Sequence, residues 1–123
     1  MKPGKSGLRR IIDATGYSMK GLAAAFRHEA AFRQEAALCA VLLPVSFWLA
    51  DSPVEWFILV APLFLLLIVE LLNSAVEATV DRVGDEPHPL SGRAKDMGSA
   101  AVFITLVFLA VSWGAVIWRH LDV

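Results

Sequence analysis

Residues 100–118, AAVFITLVFLAVSWGAVIW, run through without a single charged side chain. A bilayer core about 30 Å thick needs roughly 20 such residues in an α-helix, and only a helix or a closed barrel satisfies its own backbone polar groups in lipid. Two more apolar stretches precede it, Ala36 to Ala50 and Val54 to Val69. Both fall short of a full span and reach it by recruiting Phe32 to Glu35 and Glu70 to Asn73 at their inner ends. The wider composition agrees, with 57% hydrophobic residues and a mean hydropathy of +0.61, too apolar for a soluble domain of this size.

The expected fold is therefore an all-α membrane protein of one domain. Its transmembrane helices are placed at about 30–50, 53–81 and 91–119, behind an amphipathic surface helix at about 7–27. In that leading segment Leu8, Ile11, Ile12, Thr15, Met19, Leu22, Ala23 and Phe26 recur at spacings of three and four, while Arg9, Arg10, Asp13 and Lys20 fall elsewhere. Such a helix lies on the membrane surface. Gly16 and Gly21 each weaken it by about 1 kcal/mol relative to alanine, so a bend or break is expected between Thr15 and Leu22. Pro44 and Pro62 are expected to kink the first two spans.

DSPVEWF separates those spans and reads as a helix start, with Ser52 as N-cap, Pro53 at the first helical position and Glu55 three after the cap. Trp48, Trp56 and Trp118 fall at three span ends on one side, where an aromatic belt belongs. Ten of the eleven Lys and Arg residues lie before the first span or between the second and third. The positive-inside rule then puts the N-terminus and the 81–98 loop in the cytoplasm and the C-terminus outside. The single cysteine, Cys39, excludes an intrachain disulfide and reads as packing. No signal peptide and no internal repeat are apparent.

The second span carries the chemistry. Glu70, Asn73, Glu77 and Asp81 stand at offsets of three, seven and eleven, which on a helix fall within a sector about 80° wide. Counting inward from Trp56, Glu70 lies about 21 Å along the axis, near the inner headgroups, and Glu77 about 10 Å further, at the cytosol. One helix thus aligns a carboxylate at the depth of a lipid headgroup with one at the depth of a water-soluble reactant. Its bland reading is a pair of interhelical hydrogen-bonding residues, Asn73 and Ser74, with solvated acids beyond. Glu70 resists that reading, because an ionised carboxylate beside hydrocarbon is costly, whereas one at such a boundary is placed to accept a proton.

HEAAFRQE supplies Glu29, either a surface ion-pair partner of Arg33 one turn away or, together with Glu77, a carboxylate for a hard cation such as Mg²⁺. The loop DRVGDEPHPLSGRAKDMGSAA gathers Arg93, Lys95 and Asp96 near a helix start with Ser91 as candidate N-cap. Its two readings are a phosphate site and a basic loop drawn to anionic lipid. His28 and His120 have no metal-ligand spacing and receive no role. Neither a GxxxxGK[ST] loop, a kinase-type glycine-rich loop, a GxSxG elbow nor an HExxH helix is present.

EAAFRQE (29–35), VELLNSAVEATVDR (69–82) and LSGRAKDMGSAA (90–101), in that order and spacing, closely resemble the small prokaryotic integral-membrane diacylglycerol kinases, over nearly the whole chain from about Gly7. The resemblance implies a homotrimer in the bacterial inner membrane that phosphorylates diacylglycerol to phosphatidic acid with MgATP. It implies Glu70 as general base and Glu29 and Glu77 as the carboxylates that bind Mg²⁺ with the nucleotide. Arg10, Tyr17, Asn73, Glu86, His88, Lys95 and Asp96 are the implied nucleotide or phosphate contacts. The lipid is implied against Ala31, Phe32, Arg33, Gln34, Glu35, Trp48, Glu70 and Ser99. Pro87 and Pro89 around His88 depart from the expected pattern, which bears on the pose of Glu86 and His88. Two other readings stay open: an undecaprenol kinase of a related branch, and a proton-relay or structural membrane subunit in which Glu70 is a relay carboxylate.

Overall fold

The computed structural model describes residues 6–121, and every regular element among them is helical. Four helices follow one another: α1 Leu8–His28, α2 Ala30–Leu49, α3 Pro53–Val83 and α4 Pro89–His120. The last three are each long and apolar enough to cross a membrane. With 31 residues, α3 is about 46 Å long, well beyond a 30 Å hydrocarbon core, so part of it projects past the apolar layer.

The joints follow local chemistry. Between α1 and α2 only Glu29 leaves the helical region, at φ −115° and ψ 107°. The Arg33 guanidinium holds that corner by donating to the carbonyls of Phe26 at 2.8 Å and Arg27 at 3.2 Å, satisfying the open end of α1. Arg33 thus caps a helix, where an ion pair with Glu29 was one of the expectations. Ser52 caps α3 as expected, its hydroxyl accepting from the Glu55 N–H at 3.1 Å, with Pro53 next in line. The start of α4 departs from expectation. His88, not Ser91, is the N-cap, its Nδ1 accepting from the Leu90 N–H at 3.0 Å, and Pro89 takes the first helical position. The two prolines around His88 therefore define the cap.

A break in α1 is absent, and the helix runs continuously through Gly16 and Gly21. Its side chains contribute locally, Thr15 donating to the Ile11 carbonyl at 2.8 Å and Ser18 to that of Ala14 at 2.9 Å. Pro44 and Pro62 likewise lie inside continuous helices.

Helix α3 is the central element, packing most extensively on α4 and then on α2, while α1 touches α2. The core between them is Cys39, Leu59, Leu63, Leu66, Trp113 and Val116. It is pinned by Trp113, whose indole N–H donates to the Leu59 carbonyl at 2.9 Å, and Cys39 Sγ reaches the Leu63 carbonyl at 3.6 Å. Most other large apolar side chains, Phe47, Phe64, Phe103 and Ile104 among them, are exposed, as lipid-facing residues are. Trp48 and Trp118 near the ends of α2 and α4 and Trp56 near the start of α3 share one end of the bundle by topology.

Candidate active site

At the other end of the bundle the polar stripe of α3 turns inward. Glu70 is only 4% exposed, Ser74 is buried, Asn73 and Glu77 are half-buried, and Asp81 emerges into solvent. The Glu70 carboxyl lies beside that of Glu35 on α2, near enough for the two to interact. Glu35 and Glu70 both belonged to the expected lipid set, but their proximity was not anticipated. It depends on the rotation of α2 about its axis, which spacing within one helix does not specify.

Several polar atoms here are buried and unpartnered: Glu35 Oε2, Asn73 Oδ1 and Ser74 Oγ. Native interiors rarely leave such atoms orphaned, and with Asn73 and Ser74 one turn along α3 from Glu70 they are open to partners from outside this chain. Asn73 is also held tightly. A Cβ built on Gly98 of α4 would stand 2.2 Å from Asn73 Oδ1 and 3.2 Å from its Cγ, so glycine lets α4 pass this amide in its present rotamer and any side chain would require the amide to move.

Further out, Lys95 on α4 bonds Asp81 on α3 across 2.7 Å, with Glu77 near enough to attract the same ammonium. The linker from α3 to α4 encloses a hollow of about 570 Å³ lined by Gly84, Asp85, Glu86, His88 and Ser91. The structure thus brings Glu86 and His88 together and sets Glu77 beside Lys95. Asp96 and Ser99 are exposed on the first turns of α4.

Glu29 borders a separate groove of about 740 Å³ between α1 and α3, whose walls include Gly21, Ala24, Ala25, Ser74 and Ala78. Glu77 is absent from that lining, so within one chain the groove does not unite the two expected metal carboxylates. Arg10 and Tyr17 lie exposed along α1, with Lys20 Nζ 6.0 Å from the Tyr17 ring. In the expected lipid set Ala31 and Gln34 are exposed, but Phe32 is buried. Trp48, 83% exposed, lies about 20 Å along α2 from Glu35 and near the opposite end of the bundle from Glu70.

Comparison with known proteins decides the family. The family model for prokaryotic diacylglycerol kinase matches residues 16–117. The chain belongs to that family. It is similar to the diacylglycerol kinase of Pseudomonas aeruginosa, 57% identical over 114 residues, which span 93% of each chain. The diacylglycerol kinase of Escherichia coli K12 is 49% identical over 115 residues, 94% of each chain. That of Haemophilus influenzae is 46% identical over 113 residues, 92% of this chain and 96% of the relative. The chain is thus a multi-pass membrane enzyme of a kinase family.

Proposed function

We propose that this chain transfers the γ-phosphoryl group of ATP to the hydroxyl of diacylglycerol at the cytoplasmic face of a bacterial inner membrane, with Glu70 as general base. The observation that carries the assignment is the buried Glu70 carboxyl, beside Glu35 and one turn from the unpartnered atoms of Asn73 and Ser74. It sits on α3, whose next three turns lead out to Glu77 and to Asp81, the partner of Lys95 on α4.

The hydroxyl oxygen attacks the γ-phosphorus, the new O–P bond forms as the bond to ADP breaks, and the hydroxyl proton passes to Glu70. Lys95 offsets charge on the transferred group after leaving Asp81, a partly exposed pairing that costs about 1 kcal/mol or less to break. Asn73 orients the nucleotide through the amide that Gly98 leaves room for. Arg10, Tyr17, Glu86, His88 and Asp96 complete the nucleotide contacts. Ala31 to Glu35, Trp48 and Ser99 border the lipid.

Glu29 and Glu77 are oxygen donors of the kind a hard cation takes, and both are half-buried at the water-facing level, so they fit Mg²⁺. Bound with ATP, the metal neutralises phosphate charge. Since the α1/α3 groove that Glu29 borders does not include Glu77, a cyclic homotrimer, in which neighbouring chains complete each site, is the assembly that suits them.

Purified protein assayed with labelled ATP against diacylglycerol and against undecaprenol tests the reading. Phosphatidic acid as the preferred product supports it. Turnover on undecaprenol alone reassigns the substrate, and no lipid-dependent transfer to either removes the kinase assignment.

A further inference from the structure

At the end of the bundle opposite Glu70, three metal-ligating side chains converge that the phosphoryl-transfer chemistry does not use. Asp51 lies in the turn between α2 and α3, Glu55 in the first turn of α3, and His120 is the last residue of α4. Asp51, Glu55 and His120 each offer one donor atom, all within 4.8 Å of one another, and no other group of three such residues occurs among those described.

We propose that Asp51, Glu55 and His120 form a second metal site, on the outer side of the membrane, for a borderline-soft divalent cation of the Zn²⁺ type. Around a tetrahedral ion with bonds of about 2.0–2.1 Å, donor atoms stand about 3.3 Å apart. His120 Nε2 lies 2.7 Å from Glu55 Oε1 and 3.6 Å from Asp51 Oδ2, distances that bracket this value. The third pair, the Asp51 and Glu55 carboxylates, also lies within 4.8 Å, so the three donors are near enough for small side-chain adjustments to make a ligand set of them. An imidazole nitrogen among two carboxylates favours Zn²⁺ over Mg²⁺ or Ca²⁺, which take oxygen ligands throughout.

The support around the donors is already built. The Glu55 side chain is only 6% exposed. Its Oε1 accepts from the Asp51 N–H at 3.0 Å, and Arg119 donates to its Oε2. Ser52 caps the turn from which Glu55 projects. Such contacts fix a ligand's orientation before the ion arrives. Arg119 also balances the buried carboxylate while no ion is present, and with its own side chain 67% exposed it has room to withdraw. Asp51 is open to water, so solvent can supply a fourth ligand. Because the donors come from a turn and two helices, a bound ion clips the end of α4 to the α2–α3 corner.

The full-length protein in detergent micelles, with excess Mg²⁺ to occupy the kinase site, is titrated with Zn²⁺ by calorimetry and with Co²⁺ by visible absorption. One Zn²⁺ per chain and the intense ligand-field bands of four-coordinate Co²⁺ are expected. His120→Ala and Asp51→Asn each weaken binding roughly tenfold or more, whereas Glu29→Gln leaves it unchanged. Asp51→Asn alters an exposed residue and spares the Glu55–Arg119 pair, so a folding defect in His120→Ala does not remove the test. Absence of stoichiometric binding, binding that survives both substitutions, or binding lost with Glu29→Gln overturns the proposal and leaves a metal-free clasp.

Discussion

Gly98→Ala places one methyl group where α4 passes closest to α3, and its consequences follow from distances. The new Cβ stands 2.2 Å from Asn73 Oδ1, more than an ångström inside ordinary contact, and 3.2 Å from Cγ. A half-turn of the amide about its last bond only exchanges oxygen for nitrogen of similar size. Relief therefore requires a partial turn of the amide, a different rotamer at the base of the side chain or separation of the helices. Overpacking of this kind costs about 1–3 kcal/mol, which is roughly 5- to 150-fold in the folding equilibrium. In an Asn73→Ala background the nearest remaining neighbour is that residue's Cβ at 3.8 Å, an ordinary contact. There Gly98→Ala is expected to be neutral, or to stabilise by up to about 1 kcal/mol through helix propensity. Equilibrium unfolding of the four proteins in mixed SDS and detergent micelles measures the coupling, expected at about 1–3 kcal/mol. Kinase assays on the same set separate packing from function, since the double variant regains stability but stays inactive for want of the Asn73 amide. An equal cost of Gly98→Ala in both backgrounds would show that the Asn73–Gly98 contact does not limit helix approach.

Glu70→Gln is expected to lower lipid phosphorylation by about 10²–10⁴-fold while ATP affinity stays within a few-fold, and turnover near wild type removes Glu70 from proton transfer. Glu29→Gln and Glu77→Gln each raise the Mg²⁺ concentration for half-maximal activity and weaken MgATP binding together; an unchanged metal titration in either variant strikes that residue from the ligand set. Lys95→Met slows transfer much more than it lowers stability, because its bond to Asp81 is part-exposed and worth at most about 1 kcal/mol; a larger loss on unfolding makes its role structural. A cysteine at position 86 reacts with impermeant reagent only from the cytoplasmic side and one at position 52 only from outside, and the reverse pattern refutes the orientation read from Lys and Arg.

What a sequence discloses about such a molecule depends on the range of the interaction that decides each feature. Span existence, the Ser52 cap and the inward turn of Glu70, Asn73 and Glu77 are set within one helix or one turn, and there local rules and coordinates agree. The start of α4 is also local, but two residues competed for it. Ser91 is the commoner capping type, yet proline at the first helical position fits best directly after a cap, and Pro89 selects His88. The unbroken α1 shows the opposite balance, in which two glycines at about 1 kcal/mol each do not outweigh a 21-residue helix with an apolar face to bury.

Contacts between helices were the least legible, because spacing along one helix says nothing of its rotation against the next. Glu35 meets Glu70, and Asn73 meets Gly98, through such rotations. His120 illustrates the limit. Alone at the end of an apolar span it offers no ligand spacing, and it gains partners only because α3 and α4 run antiparallel. That brings the last residue of one beside the first turn of the other, 65 positions away in sequence. Antiparallel packing of long helices therefore creates two polar ends from one arrangement. One end carries the Glu70 stripe in long motifs that a sequence displays. The opposite end is assembled from three residues drawn from a turn and two helix ends, and only the fold brings them together.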